Sequence, residues 1–502
     1  MHENKKYFPI RFAVLFTLLL FIAILTVTFW LVFLRTPGFR IAIYAVKLVF
    51  AFKVINSPHS ADLKAYWVFA LLAFPIAAIP IYLVFYRPYP SKKELLAKAK
   101  SENQRPKNDS FYSSLALFDN GSFSFSREIM RAAGTSAYSD AGADYLSSPA
   151  EKRKRLLCDL KNAKKFIFLE FYTVAAGSFW GEIFDILKEK TLHGVEVRVI
   201  YDELGSLRRL PNDFCRQMKK YGINAVCHKG RRGFFIGGMN SRNHRKIAVI
   251  DGKIAYTGGI NLADEYLYPT KKLGAWKDSA VRLTGNIANE FTFLFLSDFV
   301  SAAEKSESFF KYYRYERQKE SGAVIAFGNG PSPLYEANTA SLAICSMISN
   351  AKKEVFITTP YLICGSEVEC AIRDASKRGV KIRIVIPSRP DRYAAYLLTK
   401  TCAKRLCRLG AEIYEYSPGF LHAKTYLADG KYAAVGSINL DYRSLGHNLE
   451  NGVWFEGHKV IEEIENDAKE ILSVSQKIDI GKKGSVFESI SRALIEILAP
   501  LF

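Results

Sequence analysis

The sequence predicts an α/β protein built as two similar halves. Each half is a mixed, mostly parallel sheet flanked by helices, the halves are related by pseudo-two-fold symmetry, and two transmembrane helices precede them. Three observations carry this prediction. One block of residues is written twice with the same internal spacing, apolar strand-like runs alternate with helical stretches in both copies, and two long runs near the amino terminus carry no charge. Strands that alternate with helices form sheets covered by helices, and self-similarity within a chain marks a repeated structural unit.

The first charge-free run, Phe12 to Leu34, is 23 positions long. At ~1.5 Å per residue it covers the ~30 Å hydrocarbon core of a bilayer, and it is too long for a cleaved signal peptide. The second, Ala65 to Tyr86, is 22 positions long and contains Pro75 and Pro80. Spanning helices tolerate such kinks because neighbouring groups satisfy the freed carbonyls. Nine basic residues flank the outer ends of the pair and five lie in the loop between them, a bias that puts both termini in the cytoplasm. In that loop, Ile41 to Phe52 is apolar with an embedded lysine and suits the membrane interface. The anchor therefore covers residues 1–87, with spans at about 12–34 and 65–86. A linker rich in Lys, Glu, Ser, Asn and Pro follows at 88–112, then one half at 113–312 and the other at 313–502.

Over its 502 residues the chain is 49% hydrophobic and 24% charged, which excludes disorder and provides for a large core. The 70 Lys and Arg against 49 Asp and Glu give a net charge of +21, a field that attracts nucleic acid or an anionic membrane surface. Charge alone does not choose between these. The eight cysteines are scattered without a C-x-x-C pair and read as reduced thiols facing the cytosol.

The repeat begins with Ala163-Lys164-Lys165 before the apolar run Phe166 to Tyr172, matched by Ala351-Lys352-Lys353 before Val355 to Tyr361. In each copy a helical stretch then ends in Gly-Val and a second strand, from Gly194 and from Gly379. The sharpest match is the third. From His244 and from His422, a lysine follows at +2, an aspartate at +7, a glycine at +14 and an asparagine at +17 in both copies.

A histidine and a lysine two apart on a strand share one face, so one imidazole and one ammonium share a site. Two copies facing each other bring His244, Lys246 and Asn261 together with His422, Lys424 and Asn439. That set suits a phosphodiester. The lysines and asparagines hold the non-bridging oxygens, one histidine attacks phosphorus, and the other protonates the leaving alkoxide. Asp251 and Asp429 precede Gly-Lys, and their plain reading is turn residues that close a hairpin. A carboxylate on the other ring nitrogen improves either histidine. Asp278, 34 residues after His244, and Glu450, 28 after His422, are the candidates. The dispersed histidines and the absence of a clustered acidic motif give no metal site.

At these residues the chain resembles the phospholipase D superfamily, whose signature is the duplicated H-x-K-x4-D motif, and within it the bacterial cardiolipin synthases. The likeness extends to the two amino-terminal spans, Tyr201-Asp202-Glu203-Leu204-Gly205-Ser206, Trp276-Lys277-Asp278, Thr359-Pro360-Tyr361 and Asp441-Tyr442-Arg443-Ser444. The resemblance implies a two-step transfer through a phosphohistidine, without metal or other cofactor, from one phosphatidylglycerol to another. It implies His244 as nucleophile and His422 as general acid and base, with roles that the site's symmetry leaves exchangeable. Lys246, Lys424, Asn261 and Asn439 would hold phosphate, Asp278 and Glu450 would orient the histidines, and Asp251 and Asp429 belong to the catalytic motif. The implied partners are phosphatidylglycerol and anionic lipids of a bacterial plasma membrane, with the catalytic part in the cytoplasm. Nucleic acid is not expected, although nucleases share the superfamily, because a membrane tether serves a lipid substrate. Hydrolysis by water is the rival outcome of the same intermediate. The basic and aromatic stretch 228–236 suits anionic headgroups, and the helically spaced tail from Ile490 to Phe502 suits docking on the protein or the bilayer.

Overall fold

The computed structural model describes residues 36–57, 61–85, 92–106, 124–229, 242–316, 322–332, 334–335, 338–478, 496 and 499. These fall into two units, one up to Phe85 and one from Lys92 onward. The first predicted span, 12–34, lies outside the described residues. The second, 65–86, is broken: helices Ala61–Ala73 and Pro75–Phe85 meet at Phe74, because Pro75 has no N–H and its ring displaces the preceding turn. Hydrogen bonds from Phe74 N to Ala70 O and from Ala78 N to Phe74 O carry the chain across the break. No helix among the described residues is long and apolar enough to cross a membrane. The intervening segment is also helical, Pro37–Ile55, with Pro37 in the first turn where its missing N–H costs nothing.

In the second unit the first half supplies β1 (Gly142–Leu146), β2 (Phe166–Phe171), β3 (Glu196–Asp202), β4 (Ile223–His228), β5 (Lys246–Ile250), β6 (Ile254–Gly258), β7 (Ala275–Lys277) and β8 (Ala280–Thr284). Seven of them form a sheet in the order β1-β8-β6-β5-β2-β3-β4. The second half supplies β9 (Ala323–Asn329), β10 (Glu354–Thr358), β11 (Leu362–Ile363), β12 (Lys381–Pro387), β13 (Glu412–Tyr416), β14 (Gly419–Leu421), β15 (Thr425–Ala428), β16 (Tyr432–Gly436), β17 (Leu440–Asp441), β18 (Glu450–Glu456) and β19 (Ser475–Lys477). Its main sheet runs β19-β13-β12-β10-β15-β16-β18-β9. Apart from the added β19, the two orders match strand for strand, which is the sequence repeat in three dimensions.

The sheets are mixed, but the expectation of mostly parallel pairing is wrong. In the first sheet only β2–β3 and β3–β4 are parallel, and the other four pairings are antiparallel. The second sheet repeats this, with β10–β12 and β12–β13 parallel. The reason is connection length. Helices Ser178–Leu192 and Ser366–Lys377 make the crossovers that parallel neighbours need, whereas the three-residue Asp-Gly-Lys links after β5 and β15 can only reverse the chain.

Between the sheets runs the helix Ala288–Ala303, rich in Phe and Leu and buried along most of its length, with its acids Glu290 and Asp298 paired to Arg105 and Arg245. Its Phe295 ring stacks on Phe168 of β2 at 4.7 Å, in a core that also takes Val324 and Phe455 from the second half. One apolar core thus spans both halves, and it fixes the carboxyl ends of the parallel strands, where the motif residues lie.

Candidate active site

The motif strands enter the site at matching points. Lys246 opens β5 opposite Phe171 at the carboxyl end of β2, and Lys424 directly precedes β15, whose Thr425 pairs with Thr358 at the end of β10. Each histidine segment is pinned by the other half. His244 N donates to Leu449 O at 2.9 Å, and His422 N donates to Lys277 O at 2.7 Å. The short strand β14, just before His422, also pairs with β7 of the first half.

The carboxylates follow this crossing. His244 Nδ1 lies 2.9 and 3.0 Å from the two oxygens of Glu450, and His422 Nδ1 lies 2.7 Å from Asp278 Oδ2. Both carboxylates are fully buried. An Nδ1–H given to a carboxylate leaves the Nε2 lone pair free for chemistry. Each half therefore orients the histidine of the other, although each carboxylate follows the histidine of its own half in sequence.

The lysines fold back toward the histidines. Lys246 Nζ donates to His244 O at 2.6 Å, and Lys424 Nζ donates to His422 O and stands 2.9 Å from His422 Nδ1. Burial is the dominant force on all four groups. It lowers Lys246 to about 7 and Lys424 to about 8, against the pull of Glu450 and Asp278 respectively. His422 falls to about 4, through burial and the Lys424 ammonium and against Asp278. His244 is lowered by burial, against Glu450. Near neutral pH the unliganded site thus holds two neutral imidazoles. Arrival of an anion favours their protonated forms, which is what a general acid in this position needs.

Asn261 and Asn439 are both buried beside the motif strands. Asn261 accepts from Thr173 N at 3.1 Å and donates to the Tyr266 hydroxyl at 2.7 Å, while Asn439 Oδ1 is buried without a hydrogen-bond partner. Aromatic rings wall the imidazoles. Trp276 and Tyr266 lie 5.2 and 5.7 Å from His422, and Tyr172 lies 5.0 Å from His244.

The structure does not bring Asp251 and Asp429 to this site, so their membership of the catalytic motif is corrected here. They stand at the far ends of β5 and β15 with positive φ of 54° and 55°. Asp251 accepts from the backbone N–H of Lys164, Lys165 and Phe166 at 2.7 to 2.9 Å, and Asp429 accepts from Lys352, Lys353 and Glu354 at the same range. The repeated Ala-Lys-Lys and Asp-Gly-Lys segments are one lock built twice: the aspartate closes the hairpin and holds the entry to the central strand.

Several supporting residues had no role in the sequence reading, Asp202 and Ser444 among them, though both lie in stretches that carry the resemblance. Asp202 takes Arg242 at 2.6 Å and Asn243 N at 3.0 Å, fixing the chain just before His244. Arg245 donates to Asp298 at 2.7 Å and to Glu450 O at 3.1 Å. Glu170 accepts from Asn243 at 2.6 Å, and burial together with Asp298 raises it well above the usual carboxylate range. The signal was present, since Glu170 interrupts an otherwise apolar strand. Ser444 donates to Glu450 at 2.8 Å, and Ser437 donates to it as well. Lys152 is fully buried, donates to Ile260 O at 2.8 Å, and is lowered to about 7 by burial against Asp278. It sits in a Lys- and Arg-rich helix that reads as solvated, so nothing in the sequence marked it.

Elsewhere, all eight cysteines are free, and Cys364 and Cys402 meet at 3.3 Å beside Glu369, whose carboxylate is ion-paired with Arg405. From Gly230 on, the basic and aromatic stretch 228–236 lies outside the described residues. Of the tail, Glu496 pairs with Arg405 at 2.6 Å, and Ala499 packs on Ile363 and Leu398.

Two α/β halves that exchange carboxylates around a pair of His–Lys motifs define a phospholipase D-like transferase site. A family profile described as "Cardiolipin synthase, PLD-like domain" matches residues 156–294 and 344–472, and the chain belongs to that family of phosphatidyltransferases. It is 34% identical to an uncharacterized protein of Streptococcus mutans over 87% of this chain and 95% of that one. It is 32% identical to a cardiolipin synthase of Oceanobacillus iheyensis over 86% and 93%. The crystal structure of phosphatidylserine synthase from Haemophilus influenzae shares the fold, with a TM-score of 0.55 and 16% identity over 75% of this chain and 98% of that one.

Proposed function

We propose that the chain is a cardiolipin synthase that transfers a phosphatidyl group between two phosphatidylglycerol molecules and releases glycerol. The observation that carries this reading is the crossed pair of imidazole–carboxylate contacts, His244 with Glu450 and His422 with Asp278, in a site lined by Lys246 and Lys424. Relatives bearing the name cardiolipin synthase over most of the chain's length support the choice of substrate.

In the first step His244 Nε2 attacks phosphorus and the P–O bond to the glycerol headgroup breaks. Protonated His422 gives its proton to the leaving oxygen, so glycerol departs and a phosphatidyl-histidine remains. In the second step neutral His422 takes the proton from a hydroxyl of the second phosphatidylglycerol. That oxygen attacks phosphorus, the P–N bond breaks, and His244 is restored. Lys246, Lys424, Asn261 and Asn439 hold the non-bridging oxygens, whose charge grows in the transition state. Neither step calls on a metal ion, and the substrate is lipid rather than nucleic acid.

The unit up to Phe85 serves as the membrane anchor in this reading, on the inner face of a bacterial plasma membrane. It exposes an unusual amount of apolar surface, including Ile41, Phe52, Phe69 and Phe74, each more than half exposed. The halves divide near residue 313, and the stretch 88–112 read as linker includes the helix Lys92–Glu102, which belongs to the second unit and is followed by Arg105, paired with buried Glu290 at 2.9 Å.

The test is incubation of the purified full-length protein with phosphatidylglycerol in detergent under a chelator, with mass spectrometry of the products. Cardiolipin and glycerol in equal amounts is the expected result. Phosphatidic acid in place of cardiolipin would make the protein a hydrolase.

A further inference from the structure

The two sheets match strand for strand, so a place where the halves differ in charge is informative. One lies behind the carbonyl that precedes each site asparagine. Ile260 and Ile438 take matching positions when the repeats are aligned on His244 and His422. Ile438 O accepts from the Tyr426 hydroxyl at 3.0 Å, and burial raises that phenol well above its ordinary value, so it stays neutral. Ile260 O accepts instead from the Lys152 ammonium at 2.8 Å. The exchange is complete. Ala248 stands where the second half has Tyr426, and, with the Ala-Lys-Lys segments aligned, Lys152 stands where the second half has Ala340. All four side chains are buried.

A neutral hydroxyl satisfies this carbonyl in one half, so capping it does not account for a charge in the other. Lys152 lies on the helix Pro149–Asn162 and is fully buried, and Ile260 O is its one hydrogen-bond acceptor among the described residues. A buried ammonium held by a carbonyl alone is costly to keep. Its surroundings show what the charge serves. The ammonium stands 5.0 Å from the ring centroid of Phe171, the cross-strand partner of Lys246. The carbonyl it holds lies between Gly259, which packs against the Asp278 carboxylate, and Asn261. Burial is the main force that lowers Lys246, and the Lys424 and Lys152 charges add to it. Three ammoniums thus act on one another across the site, and an arriving anion relieves them together.

A phosphodiester brings one negative charge, and the five-coordinate transition state develops another on the same oxygens. A cation in a dry interior acts on both without touching either. We propose that Lys152 is a positioning residue for phosphoryl transfer, which fixes Asn261 through the Ile260 carbonyl and lends the site a third ammonium beside Lys246 and Lys424. The proposal rests on the transferase reading and adds to it a residue from outside both motifs.

The test uses the full-length protein in detergent and two variants. Lys152→Met removes the charge at similar length, and Lys152→Ala/Ala248→Tyr rebuilds in the first half the neutral pair of the second. Glycerol release from phosphatidylglycerol gives kcat, and thermal denaturation gives stability. The affinity for orthovanadate, which takes up the five-coordinate geometry, reads the site without lipid. Both variants are expected to lose at least tenfold in kcat and at least tenfold in vanadate affinity. The swapped pair is expected to melt no lower than wild type at pH 7, because its carbonyl is capped and the buried charge is gone. A residue that only caps the carbonyl would regain activity together with stability, so wild-type kcat in the swapped pair overturns the proposal. If the swapped pair does not fold, Lys152→Met decides alone: wild-type kcat and vanadate affinity overturn the proposal, and a tenfold loss in folded protein upholds it. Wild-type protein that releases no glycerol, while its vanadate affinity still depends on Lys152, strikes the substrate reading and leaves the role of Lys152 standing.

Discussion

Gly259 faces the carboxylate of Asp278 so closely that a β-carbon at position 259 would stand 2.2 Å from Oδ1. At the matching position of the second repeat stands Ser437, whose hydroxyl donates to Glu450. One half fills this place with a hydroxyl and the other with the carboxylate itself. Gly259→Ala therefore forces Asp278 off His422, and the expected result is at least a tenfold loss of kcat with the fold retained by circular dichroism. Ser437→Gly removes one of several hydrogen bonds to Glu450 and lowers activity only a few-fold. Wild-type activity in Gly259→Ala would mean that His422 works without Asp278 in contact.

The crossing of the carboxylates makes a sharper prediction. Residues in contact couple in double-mutant cycles, and residues without shared partners add. His244→Ala with Glu450→Ala and His422→Ala with Asp278→Ala are each expected to be little worse than the worse single variant. Glu450→Gln alone is expected to lower kcat by about 10² to 10⁴, the range seen when a histidine's carboxylate partner is replaced. If coupling is instead found between Asp278 and His244, the half-to-half exchange is not the arrangement that operates in turnover.

Much of this was legible in the chain. The duplicated offsets from His244 and His422 located the strands that carry the candidate site, because period-two geometry leaves little freedom once a strand is assigned. Asp278 and Glu450 were visible as acids downstream of each motif, but their crossed partnership was not. Pairing across halves depends on β7 meeting β14 and on Asn243 bridging to Leu449, contacts between segments well over a hundred residues apart. The parallel bias was misjudged because strand–helix alternation drew attention from the Asp-Gly-Lys turns, which reverse the chain. Lys152 had no local signal, since a buried cation among many surface cations looks like its neighbours in sequence.

Asp251 separates structure from chemistry. Its carboxylate holds three backbone N–H groups in a left-handed conformation that an alanine adopts only under strain. Charged hydrogen bonds contribute about 1.5–3 kcal/mol each when buried and less at a partly exposed turn, so Asp251→Ala is expected to destabilise by roughly 2–4 kcal/mol. Activity per folded molecule should stay within a few-fold of wild type. Thermal denaturation and active-site-normalised rates measure both quantities. A hundredfold loss of rate in well-folded protein would return Asp251 to the catalytic set.

The acid limb of stability should bear the mark of His422. Its folded value is about 4, below its ordinary 6.5, so between these pH values the unfolded chain binds the proton and the folded chain does not. Stability is therefore lost as pH falls from 6.5 toward 4, by on the order of 3 kcal/mol for a shift of this size. His422→Ala should flatten that part of the curve in urea denaturation at stepped pH. An unchanged slope would mean that the imidazole is not held neutral.

Lys246 gives the opposite pairing of stability and function. Burial brings it to about 7 from an ordinary 10.5, so the folded protein releases a proton that the unfolded chain retains across that window, and stability rises with pH through it. Below about 7 the site must hold a buried ammonium, a cost that a transferase accepts because the charge is needed when phosphate enters. Lys246→Met keeps the length and removes the charge. It is expected to raise the melting temperature at pH 7, corresponding to at least about 1 kcal/mol, and to flatten the dependence between pH 7 and 10.5, while transfer is abolished. Calorimetry at stepped pH, with product assays on the same protein, measures both arms. A variant that is less stable than wild type at pH 7 would show that Lys246 holds the fold together through its hydrogen bond to His244 O, and that its burial is not a strain kept for catalysis.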